Sequence, residues 1–200
     1  MPPTTDETGP SVASDEELQQ VVVGALTPLN APIALVEYDA EWPRLYAREA
    51  RRIRAVLDDA VRSVEHVGST SVPGLAAKPI IDILLVVADS GDEPSYLPAL
   101  EATGYVLRIR EPDRFEHRVL KGPDTNINLH VFSDGASEIE CMLLFRDWLR
   151  QNDADRDHYE RTKRELAGRN WRHVQHYADA KTAVVQEIMV RATAAARASG

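Results

Sequence analysis

The sequence predicts an α/β domain of the α+β kind: a mixed β-sheet core flanked by helices, with an all-helical C-terminal third. Three observations carry that expectation. Five runs rich in β-branched residues lie between about residues 61 and 133, separated by Gly, Pro, Asp and Asn. One of them, IIDILLVV, is apolar on both sides of the pleat except at Asp82, as an inner strand covered on both faces must be. From Ala136 to about residue 196 the apolar period becomes helical.

Residues 1–30 are rich in Pro, Thr, Ser, Asp and Glu and are expected to form a loose acidic tail. Within it, Ser14 and Glu17 have the spacing of a capping box and can open one short helix. A single domain is then expected over residues 31–200. It begins with a short strand, Ile33 to Tyr38, and an amphipathic helix in DAEWPRLYAREARRIRAVLDDA, whose apolar residues Trp42, Leu45, Tyr46, Ile53, Val56 and Leu57 share one side. The strand runs are VRSVEHVG, IIDILLVV, YVLRIR, FEHRVLKG and INLHVFSD. EPSYLPALEATG interrupts them as a helix closed by Gly104 at C′. Three helices follow: ASEIECMLLFRDWLRQN, DADRDHYERTKRELAGRN with Asp153 as its cap, and HYADAKTAVVQEIMVRATAAARA. Trp42, Trp148 and Trp171 are expected to anchor helix packing.

Composition narrows the function classes. A chain of 200 residues, 44% hydrophobic and 28% charged, is that of one soluble domain. No apolar run approaches the roughly 18–20 residues that cross a bilayer. The N-terminus has no basic stretch followed by an apolar one, so a cytoplasmic address is expected. The net charge of −9 argues against nucleic acid or anionic membranes as partners, while leaving room for a small anionic ligand gripped locally. The single cysteine, Cys141, excludes an intramolecular disulfide and a cysteine-based zinc cage, and its setting IECMLLF predicts a buried thiol. His158, His173 and His176 lack metal-ligand spacing with Cys or Glu.

The chemistry concentrates around HVGSTSVPGLAAKPIIDILL. A carboxylate inside an apolar strand needs a cation, an arginine or a backbone N–H, and Asp82 is placed that way. Gly68, Ser69 and Thr70 follow a strand, where glycine admits backbone N–H groups to an anion and the hydroxyls add donors; a plain turn has the same residues. A helix starting at Ser69 or Thr70 would strengthen such an anion site. Lys78, four residues before Asp82, can reach over the same mouth. In INLHVF, Asn128 and His130 share one side of the strand. His130 is either a structural histidine or an acid-base group. In RFEHRVLKG, Glu116 and Arg118 are expected on one face and Phe115, His117 and Val119 on the other. Arg118, Arg114 or Arg110 can hold a phosphate or carboxylate bidentately, or be solvated. Lys163 and Lys181 are minor candidates for the cleft.

These residues carry a resemblance. EHVGSTSVPGLAAKPIIDILLVV, then GY, an Arg-Phe run, LHVF, LLFRDWLR and TKRELA, preceded by YDAEWPRLYAREA, closely resemble the GrpB family, also called UPF0157, over roughly Ile33 to Val190. That family is similar to the nucleotidyltransferases of the DNA polymerase β-like fold. The resemblance implies a phosphate-binding pair at Gly68 and Ser69 and a first metal-binding acid at Asp82, with Mg²⁺ and ATP or another nucleoside triphosphate as ligands. The position of the second acid falls on Leu84, and the third falls near Asn128 or His130, where no carboxylate stands; Glu65, Glu116 or Asp124 are the possible substitutes. The implied activity is nucleotidyl transfer to a small acceptor, with Asp82 and His130 as catalytic residues and Gly68, Ser69, Thr70, Lys78, His117, Arg118 and Asn128 binding substrate. The alternatives are an anion- or nucleotide-binding module of the same fold without transfer, and an acid-base or amide-forming enzyme in which His130, His117 and Arg118 handle a small carboxylate.

Overall fold

A computed structural model of the chain describes residues 13–26, 28 and 32–199. Five strands form one mixed sheet: β1 (Ser63–Val67), β2 (Ile81–Val87), β3 (Val106–Glu111), β4 (His117–Lys121) and β5 (Ile127–Ser133). Their order is β1-β2-β5-β4-β3. Only the inner pair β2 and β5 is parallel, with Asp82 opposite Asn128 and Leu84 opposite His130. β1 against β2, β4 against β5 and β3 against β4 are antiparallel.

Alternation along the inner strands gives the sheet two unlike faces. Ile81, Ile83, Leu85 and Val87 of β2 and Ile127, Leu129 and Val131 of β5 enter the main core together with Trp42, Ile53, Leu57 and Leu100. The last four come from α2 (Trp42–Leu57), which opens with a proline in its first turn, and α3 (Leu97–Ala102). Gly104 does take a left-handed conformation just past α3, at φ 92°.

On the other face Leu84, Val86, Val67 and Phe132 are covered by Ile139, Met142 and Leu143. These belong to α4 (Ser137–Gln151), which packs with α5 (Asp153–Ala167) and α7 (Thr182–Ser199) through Leu149, Tyr159, Val184 and Ile188. The helical third covers β1, the far half of β2 and Phe132 of β5 on this face, and beside it the sheet around Asp82, Asn128 and His130 is left open as a cleft.

Several local expectations need correction. Ile33 to Tyr38 forms no strand: it makes one two-residue bridge, Val36 with Ala77, while Ile33 packs against Leu166 and Tyr177. Asn152, not Asp153, caps α5, accepting from the Asp155 N–H at 2.9 Å. The last helix is broken into α6 (Val174–Asp179) and α7, with Lys181 at the break. Cys141 is exposed, because the buried stripe of α4 runs through Ile139, Met142 and Leu143 and leaves residue 141 outward.

The tail expected to residue 30 is partly outside the described residues, but Asp15–Val21 is a helix, α1, with both capping-box bonds formed and Leu18 buried. It continues into a bridge between Val22 and Ile109, so this segment covers the free edge of β3. The Asp15 carboxylate meets His173 Nε2 at 3.0 Å. No helix among the described residues is long and apolar enough to cross a membrane.

Candidate functional site

The open part of the sheet forms the floor of a cavity of about 1140 Å³. β1 delivers the chain to it through Gly68, whose φ of 69° favours glycine. A Cβ there would stand 2.4 Å from Asp82 Oδ2, so only glycine lets the turn lie against the carboxylate. Ser69 to Ser71 make a single 3₁₀ turn rather than the start of an α-helix, so the helix-terminus anion site is not formed.

That turn is held from both sides. Thr70 is 1% exposed; its hydroxyl donates to Ile80 O at 3.2 Å and meets His66 Nε2 at 3.1 Å. Burial pushes His66 down to about 4, so this partner is neutral. Thr70 therefore braces the turn and has no free donor for a ligand, contrary to expectation. Arg150 donates twice to Ser71 O, at 2.9 and 3.1 Å. Ser69 is different: Lys163 of α5 donates to its Oγ at 3.1 Å and also to Ala76 O, and the Tyr159 hydroxyl lies on the same side. Ser69 remains at the cavity wall.

Asp82 has 27% of its side chain exposed. Asn128 Nδ2 donates to its Oδ1 at 2.7 Å, and Lys121 donates to Asn128 Oδ1 at 2.5 Å. His130 Nε2 lies 3.6 Å from the same carboxylate oxygen. Burial pushes the Asp82 carboxyl up, but His130, Asn128 and Lys78 together outweigh burial and hold it below its ordinary value. The His130 ring is fixed by a chain running away from Asp82: its Nδ1 meets His117 Nε2 at 3.1 Å, and His117 Nδ1 meets Glu111 Oε2 at 2.6 Å. Glu111 was not anticipated from the sequence; it comes from β3, six residues before His117, across the β3-β4 turn.

The chain contains four lysines, Lys78, Lys121, Lys163 and Lys181, and all four line this cavity. Among the described residues none of them has a carboxylate within 4 Å, whereas the ion pairs on the rest of the molecule are made by arginine and histidine. Lys78 and Lys181 lie 5.5 and 4.9 Å from the centre of the Tyr177 ring, and Lys163 lies 4.9 Å from that of Tyr159. Burial lowers the pKa of all four; Lys163, 2% exposed, is pushed to about 7 by burial and by the charge of Lys181. Lys163 is buried and the other three are half-buried, and gathering ammonium groups without a paired carboxylate is costly unless an anion joins them.

Of the residues expected to form the site, Gly68, Ser69, Thr70, Lys78, Asp82, His117, Asn128 and His130 line the one cavity. Arg118 does not. It lies on the opposite face of β4, buried and bonded to Glu93 at 2.7 Å and Glu116 at 3.0 Å. Arg110 completes that cluster on Glu93, so the two arginines hold a carboxylate of the chain itself. The pairing of Phe115 with His117 on one strand face also fails, because β4 begins only at His117 and Phe115 and Glu116 sit in a turn.

A divalent cation, which the resemblance implies, finds one carboxylate beside the Gly68–Ser69 turn, Asp82; Glu111, which also lines the cavity, is taken by His117. Glu65, Glu116 and Asp124 are engaged by Arg146, Arg118 and Arg52 away from Asp82. Leu84 is fully buried under α4. Among the described residues no three His, Cys, Asp or Glu side chains come together as a metal cluster. The donor set fits a single ion held by Asp82 and completed by ligand phosphates and water, and it does not fit two.

Comparison with known proteins agrees with the sequence resemblance. Residues 32–191 match the family model described as GrpB protein. A UPF0157 protein of Halalkalibacterium halodurans is 66% identical over 194 residues, covering 97% of this chain and 100% of that one. The crystal structure of the conserved protein GrpB from Enterococcus faecalis superposes with a TM-score of 0.68 at 31% identity, over 80% of this chain and 96% of that one. Cid1 in complex with its short product ApU overlaps 74% of this chain and 45% of that one at a TM-score of 0.44 and 12% identity, which says nothing of what this chain binds. With four-fifths of its length matched by the family and a solved relative sharing its fold, the chain belongs to the GrpB family.

Proposed function

We propose that the cleft binds a nucleoside triphosphate through its phosphates and transfers the nucleotidyl group to a small acceptor. The observation that carries this reading is the convergence of every lysine of the chain, none paired to a carboxylate among the described residues, on the cavity that holds Ser69 and Asp82. A triphosphate carries the several negative charges that such a cluster requires, and lysine amines meet phosphate oxygens as point charges. Lys163 donates into Ser69 Oγ and so orients that hydroxyl at the wall of the cavity, where its own hydrogen can be turned toward a phosphate oxygen. Asp82 would hold one divalent cation, whose chemistry is to neutralise phosphate charge. Lys78 and Lys181 supply positive charge where a second ion has no ligands. His130, its Nδ1 tied to His117 and through it to Glu111, would take an acceptor proton at Nε2, the nitrogen 3.6 Å from Asp82 Oδ1.

Binding without transfer is the second reading, and one observation favours it: the place of the second acid is Leu84, sealed in the apolar cluster beneath α4. Calorimetry of the protein with ATP, GTP, CTP and UTP, with and without Mg²⁺, tests both. Transfer predicts binding strengthened by Mg²⁺, with that increment lost in Asp82→Ala, and pyrophosphate release once an acceptor is supplied. Nucleotide binding that ignores both Mg²⁺ and Asp82→Ala selects the second reading. If no nucleotide binds at millimolar concentration, both readings fall.

A further inference from the structure

The far end of the same cavity is built differently from the lysine end. Phe115 lines it and is 52% exposed, the only exposed Phe, Tyr or Trp among the described residues. It sits in the turn between β3 and β4, where Phe115 and Glu116 both take left-handed conformations, φ 56° and 52°. Two successive non-glycine residues in that region are unfavourable, and such strain persists only where the surroundings impose it. Here they do: Ser90 Oγ donates to Glu116 O at 2.8 Å, Arg118 Nη2 donates to the Glu116 carboxylate at 3.0 Å, and His117 N donates to Arg114 O at 3.0 Å. The turn is thus clamped in a shape that presents an aromatic ring to the cavity instead of burying it.

The floor leading to Phe115 is a run of parallel rings. His117 is stacked on Phe132 at 4.4 Å and 7°, and on His130 at 5.3 Å and 3°. Asn128, beside Asp82, and Phe132 are four residues apart on β5, a rise of about 13 Å. That sets the ring-lined part of the floor, whose His117 is two residues along the chain from Phe115, apart from the Asp82 end. A flat hydrophobic ring on a clamped turn and half in solvent can serve as a stacking platform, and stacking suits any base because each has a π-face.

We propose that Phe115 is the base-stacking residue of this cleft, so that its ligand is a nucleotide rather than an inorganic polyphosphate or a sugar phosphate. The inference rests on the phosphate reading of the lysine end. Titrating ATP and inorganic tripolyphosphate into the wild-type protein, Phe115→Ala, Phe115→Trp and Lys163→Ala separates the two claims. Phe115→Ala should weaken ATP five- to a hundredfold and leave tripolyphosphate within twofold, while Phe115→Trp retains ATP binding. Lys163→Ala should weaken both ligands. Equal affinities of the wild-type protein for ATP and tripolyphosphate, or an unchanged ATP affinity in Phe115→Ala, would overturn the base subsite alone. Failure of the wild-type protein to bind either ligand would overturn the phosphate reading and the subsite with it. Among the described residues Phe115 belongs to none of the buried hydrophobic clusters, so the melting temperature of Phe115→Ala should stay close to the wild-type value and a large loss of affinity can be assigned to the ligand.

Discussion

The two faces of the sheet handle charge in opposite ways. On the α2 and α3 face every prominent charge has a partner: Arg118 and Arg110 share Glu93, and the fully buried Glu49 accepts from the Tyr105 hydroxyl at 2.8 Å. On the cleft face four lysines are gathered without a carboxylate within 4 Å among the described residues, around one Asp82 that already holds an amide. Neighbouring residues of one strand fall on opposite sides of this division, Arg118 and His117 on β4 and Asp82 and Ile83 on β2. The first cluster is closed on itself and serves the fold; the second is left open, and the proposed phosphate binding rests on it.

Substitutions can break this contrast. The largest effect is expected on the apolar face, where Leu129→Ala, at a fully buried position, should cost about 2–5 kcal/mol in urea unfolding while leaving the affinity for ATP within twofold. A comparable loss of affinity would mean that the two faces are not separable. On the cleft face, Lys163→Ala removes a charge-assisted donor from Ser69 and should weaken triphosphate binding about ten- to a hundredfold, roughly 1.5–3 kcal/mol. Its unfolding free energy should change little, because the desolvation cost of a buried amine is lost together with its bonds to Ser69 and Ala76. Arg118→Ala should do the reverse: a loss of about 1–3 kcal/mol of stability, from leaving Glu93 and Glu116 short of a partner, with affinity unchanged. If instead Arg118→Ala abolishes binding in a protein of normal stability, the assignment of Arg118 to the fold is wrong.

Over pH 6 to 8 the smallest effect is expected, a pH dependence with two opposite signs. Lys163 is surrounded by Lys181 and Arg164, which disfavour its proton, and by Glu160, which favours it; with burial the net value is about 7 against an ordinary 10.5. Below about pH 7 the folded protein carries the full cost of the charged amine. As pH rises from there toward 10.5 the unfolded chain binds the extra proton, so stability from this group increases. Anion binding needs the charged amine and should weaken over the same interval, by about tenfold for each pH unit above 7 if Lys163 alone governs it. Parallel isotherms and melts at pH 6, 7 and 8 check both signs, and Lys163→Met should flatten both. Stability and affinity moving in the same direction would show that another group controls the cleft.

Much of the fold could be read from the chain because strands and helices are periodic. The runs at residues 61–68, 80–87, 105–110 and 127–134 each contain a strand, and the amphipathic pattern from Trp42 to Leu57 is a helix. The short segments failed where period gives no information: Ile33 to Tyr38 is too brief for a pattern, and Phe115 belongs to a turn whose left-handed residues have no glycine to mark them. Around the candidate site, the turn at Gly68 and Ser69, Asp82, and the shared side of Asn128 and His130 were visible because they are consecutive or two residues apart on known strands. Glu111 was not, since its bond to His117 depends on how the β3-β4 hairpin is registered.

What the sequence by itself determined is local: the alternation that separates Asp82 from Ile83, the capping box at Ser14, and the glycine without which residue 68 would collide with the carboxylate it faces. Tertiary structure alone decided which charges meet. Lys163 lies 94 residues from the serine it holds and Lys181 still further along the chain, and no periodicity relates a lysine on a C-terminal helix to a turn after the first strand. The same packing turned Arg118 into a core ion pair, used up the hydroxyl of Thr70, and left Cys141 in solvent. The reason is physical: hydrogen-bond spacing along a chain is set by backbone geometry, whereas the meeting of distant charges is set by which apolar faces bury each other.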